Sequence, residues 1–108
     1  MNFLPDIEVL FSLNGNRKTA ALDGYRPSHK IDNSIITTGV HFYYGTGRLE
    51  PNGFALGTIS FIAPEHYPHC LYKGKKIPIL EGDKIVGEAI VLRIINSQLL
   101  QKNAPLRP

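Results

Sequence analysis

The chain has 108 residues, 43% of them hydrophobic and 19% charged, with formal net charge +3 and pI near 9.1. Those values suit one globular domain with its own core and argue against a disordered or fibrous chain. The longest apolar runs are far too short to span a bilayer, the start has no basic segment leading into an apolar one, and a lone Cys70 cannot close an internal disulfide. A cytoplasmic, membrane-free protein is therefore expected. The mildly basic balance permits an anionic partner without requiring one.

Along the chain, Ile7, Val9, Phe11 and Leu13 alternate with more polar residues, the period of a half-buried strand. Asn14-Gly15-Asn16 ends it in a turn. A polar stretch from Arg17 leads to Gly24-Tyr25-Arg26-Pro27, where the proline enforces an extended segment at an edge or bend. The β-branched and aromatic run Ile35 to Tyr44 reads as a strand, broken by Gly45-Thr46-Gly47 and the Glu50-Pro51-Asn52-Gly53 turn. Phe54 to Ile62 is the next strand, and Pro64 to Gly74 a long loop. Lys75 to Leu80 and Lys84 to Ile95 form a hairpin about Glu81-Gly82-Asp83.

No segment carries a helical stripe of ten residues. From Ser97 only a short helical turn is expected, because Pro105 and Pro108 limit it. Several short strands divided by Gly and Pro turns predict one all-β domain over residues 1–108, a closed barrel or a sandwich. The last strand is apolar on both faces. Val86, Ile90, Leu92 and Ile94 are predicted on one side, and Ile85, Ala89, Val91 and Ile95 on the other. Its outer face is then covered either by the C-terminal tail or by a partner.

Arg17-Lys18-Thr19, Gly24-Tyr25-Arg26-Pro27, Thr37-Thr38 and Glu81-Gly82-Asp83-Lys84-Ile85-Val86-Gly87 occur in an order that resembles the C-terminal, third domain of translation elongation factor Tu. The likeness extends roughly from Asp6 to Ile95. It implies a small antiparallel six-stranded β-barrel, here without the GTPase domain. In that family the barrel touches the backbone of the tRNA T-stem. Arg17, Lys18, Glu81 and Gly82 stand at matching positions, Ser28 replaces a family glutamine, His41 lies near a family threonine, and Ala63 stands where a basic residue is common.

The resemblance thus implies tRNA or structured RNA as a partner, with Arg17, Lys18, Arg26, Glu81, Gly82 and Lys84 as the RNA-binding set. Phosphate contacts of this kind neutralise charge and release counterions without reading sequence. The chain contains no Gly-x-x-x-x-Gly-Lys-[Ser/Thr] loop, so neither GTP binding nor any other cofactor is expected. The competing expectation is a protein-interaction module, such as a translation-factor partner or an inhibitor or immunity-type protein, using the apolar face of the last strand.

An enzyme is not expected. Glu65-His66-Tyr67-Pro68-His69-Cys70 holds metal-ligand and nucleophile types, but a second ligand cluster is lacking, and nothing in the sequence places His29 or His41 beside it. Lys73-Gly74-Lys75-Lys76 reads as a solvated strand edge. Tyr25, Tyr43 and Tyr44 read as wall residues with surface hydroxyls, or as platforms for bases.

Overall fold

A computed structural model describes residues 4–102. Six antiparallel strands close into a barrel: β1 (Ile7–Leu13), β3 (Ser28–Asp32), β4 (Ile35–Tyr43), β6 (Phe54–Phe61), β7 (Lys76–Glu81) and β8 (Lys84–Ile94), in the cyclic order β1-β6-β4-β3-β7-β8. Two further strands, β2 (Ala21–Leu22) and β5 (Arg48–Leu49), pair as a small ribbon. Closure removes the free sheet edges that an open sheet of this composition would expose.

The predicted alternation in β1 is borne out: Ile7, Val9 and Phe11 are fully buried, and the residues between them only partly. With Ile31, Ile59, Ile77, Ile79, Ala89 and Val91 they fill the interior. Leu13, Ala21, Tyr43 and Leu49 continue the core to the end bearing the β7–β8 hairpin, while Tyr67, Leu71 and Leu99 plug the other end. Gly57 permits the strands to close up, because a Cβ there would lie 2.0 Å from the carbonyl oxygen of Phe42 and 2.9 Å from the Phe11 ring.

The last strand departs from the two-faced expectation. Ile79 pairs with Gly87 but Leu80 with Ile85, so a bulge leaves Val86 as an extra residue. Val86 turns inward and joins Ala89 and Val91 at zero exposure, instead of sharing a face with Ile90 and Leu92. Val91 is therefore core and cannot serve a partner; Ile85 and Ile95 are the exposed large hydrophobic residues of the strand region.

The tail does make a short turn, at Ser97–Leu99, with the Asn96 side chain accepting from the Gln98 amide. It binds the Pro64 to Gly74 loop: His69 N–H donates to Gln98 O, Leu71 N–H to Leu99 O, and Gln101 N–H to Leu71 O. Loop and tail together cap the barrel end. No helix among the described residues is long and apolar enough to cross a membrane.

Candidate functional site

The turn after β1 and the β7–β8 hairpin, more than sixty residues apart, interlock at one barrel end. Asn14 and Asn16 side-chain amides both donate to Ile85 O, at 3.1 and 2.9 Å, and the Lys84 ammonium donates to Asn16 O at 3.2 Å. Lys18 donates back to Gly15 O at 2.8 Å within the turn. Gly82 adopts φ of 63°, the left-handed conformation that this two-residue hairpin turn demands and a side chain would resist.

Arg17 and Glu81 form the centre. The Arg17 guanidinium pairs with the Glu81 carboxylate, donates to Ala20 O at 3.3 Å, and lies 4.5 Å from the centroid of the Tyr25 ring. The Tyr25 hydroxyl donates to the same Glu81 oxygen. This hydroxyl, then Arg17, lowers the Glu81 pKa against a smaller opposing effect of burial. Burial, and next Glu81, pushes the Tyr25 phenol far above its ordinary range. Arg17 Nε is buried without a hydrogen-bond partner.

Five of the six sequence-predicted residues thus converge: Arg17, Lys18, Glu81, Gly82 and Lys84. Their roles differ. Arg17 and Glu81 satisfy each other, whereas Lys18 and Lys84 are exposed and spend one ammonium donor each on a backbone carbonyl, leaving further donors free. Arg26 is exposed and adjoins Tyr25 in the chain.

Behind Tyr25 lies a polar row that sequence reading missed. His29 on β3 and His41 on β4, both wholly buried, bring their Nε2 atoms to 2.7 Å. His29 Nδ1 lies 3.2 Å from Thr37 O, and His41 Nδ1 lies 2.9 Å from the Tyr43 hydroxyl. A carbonyl only accepts, so His29 Nδ1 carries the proton and its Nε2 is bare. His41 Nε2–H must then donate to His29, leaving His41 Nδ1 to accept from Tyr43. The row is fully satisfied with both rings neutral.

Burial opposes a charge here and pushes the His29 pKa down to about 4; burial, and then the proximity of His29, drives that of His41 well below its ordinary value. The rings of Phe11, Tyr25 and Tyr43 pack about His41, and Phe61 meets His29 edge-on. The signal available in sequence was positional only. His29 and His41 occupy inward positions of strands whose pairing, His29 with Thr37 and His41 with Ile59, is a tertiary outcome.

The remaining candidates stay apart. His69 Nδ1 lies 3.0 Å from Leu100 O, in the loop–tail contact. Half-buried Cys70 has its thiol pushed up by desolvation, the wrong direction for a nucleophile. Among the described residues no group of three or more His, Cys, Asp or Glu is placed to hold a metal ion. Tyr43 is buried, with its hydroxyl on His41 instead of at the surface, and exposed Tyr44 donates to Glu8 at 2.6 Å. No protein-family model matches the chain.

Proposed function

We propose that the chain is a non-catalytic binding module whose hairpin end engages the phosphate backbone of tRNA or structured RNA in the cytoplasm, in the manner of the elongation factor Tu barrel it resembles. One observation carries this reading: the 14–18 turn and the 81–84 hairpin interlock, and the exposed Lys18 and Lys84 side chains both reach backbone carbonyls of that turn, at Gly15 and Asn16. Two flexible ammonium groups on a fixed turn suit phosphate oxygens, which need charge and donors but no base readout. Arg17, tied to Glu81 and stacked on Tyr25, positions the turn.

Fluorescence-anisotropy titration with labelled bulk tRNA tests the proposal at low and physiological salt. Saturable binding that weakens with salt, and is lost in Lys18→Ala/Lys84→Ala, is expected. No binding at low salt would refute it.

A second reading, a protein-interaction module, draws support from the outer wall of β4 and β6. Phe54 is 74% exposed, and Leu56 and Tyr44 are each 50% exposed, with Tyr44 N–H bonded to Leu56 O. Neighbouring exposed apolar groups of this size are the usual material of protein interfaces. On this reading the partner docks on β6 in preference to β8, and Phe54→Asp abolishes its binding while leaving tRNA binding intact.

A further inference from the structure

We propose that the His29–His41 pair is a proton-operated latch on the β3–β7 seam of the barrel. The geometry marks this seam as the weakest. β3 meets β7 over only two register pairs, Ser28 with Leu80 and His29 with Ile79, whereas β7 meets β8 over six and β1 meets β8 over seven. Past His29 the two strands splay, leaving a groove of about 260 Å³ lined by Lys30, Ile31 and Asp32 from the β3 side and Lys76 and Pro78 from β7. Pro78 has no N–H to contribute to a ladder.

The hydrogen-bonded row across the pair takes another proton only by giving up a bond it already makes. A proton on His29 Nε2 obliges His41 to move its own proton to Nδ1, where the Tyr43 hydroxyl already points its hydrogen. A second proton sets two N–H groups head to head. Among the described residues no carboxylate is hydrogen-bonded to either ring. Tyr43 on β4 bonds His41, and Tyr25 packs against it. Asp23 accepts from the Tyr43 amide, and Arg17 with Glu81 of β7 lies on the far side of Tyr25. β1 and β6 present Phe11 and Phe61, which do not titrate. The proton is therefore stabilised only when water reaches the rings, and the β3–β7 seam is the shortest opening that admits it.

The direction follows from proton linkage. An open seam lets a histidine titrate near its ordinary value of 6.5, while closed His29 holds out to about 4. Closure is thus at full strength above about pH 6.5 and weakens as pH falls through the window down to about 4. Opening also divides the candidate site, because Tyr25 precedes β3 and Glu81 ends β7. It parts the Tyr25 hydroxyl and ring from the Arg17–Glu81 pair, which stays with the β7–β8 hairpin through the Asn14 and Asn16 bonds to Ile85. What the uncovered pair then engages rests on the phosphate reading; the latch itself does not.

Amide hydrogen exchange by NMR on the whole chain tests the latch, without RNA. Corrected for intrinsic rates, the opening constant of β3 and β7 amides should rise about fivefold per exposed histidine between about pH 6.5 and 5.5, while β1 and β6 amides keep their protection. In His29→Leu/His41→Phe this dependence should vanish. Because that variant replaces core groups, imidazole chemical shifts of the unaltered protein give an independent reading: both rings should stay neutral in the closed barrel at about pH 5.5. Seam protection that does not change with pH, protection lost equally from all six strands, or imidazoles titrating near 6.5 within the closed barrel would each overturn the latch. The tRNA titration can fail while the latch stands, and the reverse.

Discussion

Asp6 offers a stability test worked directly from geometry. It is 6% exposed, and its carboxylate accepts from Phe61 N–H at 2.6 Å and from the Asn96 side-chain amide at 2.9 Å. Its own N–H donates to Ile59 O, and its carbonyl accepts from Ile95 and Asn96 N–H. One residue therefore ties β1 to the end of β6 and to the chain leaving β8. Asp6→Ala keeps the backbone bonds and orphans the two donors. The Phe61 amide, in a buried residue, loses about 1–3 kcal/mol, whereas half-buried Asn96 turns toward water for about 1 kcal/mol or less. The sum is about 1–4 kcal/mol, a large part of the stability of a domain this size. With a urea m value of about 1.5 kcal/mol/M, the midpoint falls by about 2 M. Asp6→Asn retains an acceptor for Phe61 and should lose about 1 kcal/mol. A midpoint for Asp6→Ala within about 0.3 M of the parent, or equal losses in both variants, would refute the clamp.

Gly57→Ala should prevent folding or destabilise by about 3 kcal/mol or more in urea denaturation, since the new methyl meets the Phe42 carbonyl at 2.0 Å and backbone cannot give way. Glu81→Gln should act in opposite directions on two readouts. Stability falls by about 1 kcal/mol as the Arg17 and Tyr25 bonds weaken, while tRNA affinity at low salt rises because a carboxylate beside the phosphate path is gone. The folded pKa of Glu81 is lowered, so its contribution to stability is present above 4.5 and is lost as pH falls through that lower folded value; acid denaturation curves of Glu81→Gln should lack this component. Lys18→Ala and Lys84→Ala should each leave the urea midpoint nearly unchanged and reduce the slope of log affinity against log salt by about 1.

Much of the architecture is local information. Period-two burial in β1, the Asn-Gly and Glu-Gly-Asp turns, and the absence of any helical stripe place five of the six barrel strands to within a few residues, and mark only the extended approach to β3, because strand and turn preferences act over neighbouring positions. The meeting of the 14–18 turn with the 81–84 hairpin was legible only through the likeness to a known barrel. Nothing in either segment alone encodes the bonds from Asn14 and Asn16 to Ile85.

Three features belong to tertiary structure. The bulge at Val86 moved Val86 and Ile85 to the opposite faces from those expected relative to Ala89 and Val91, since one extra residue reverses the side chains beyond it and alternation alone cannot locate it. The capping of the barrel end is decided by which loop meets which tail, here Leu71 with Leu99 and Gln101. His29 and His41, which nothing in the sequence places beside another polar group, become a buried hydrogen-bonded pair only once β3 and β4 stand side by side with both rings turned inward. Sequence determined where the chain extends and turns, because those preferences are carried by each residue's own backbone. Closure of the barrel decided which polar groups share its interior, because that depends on register between strands, and with it the partners that let two neutral histidines stay buried.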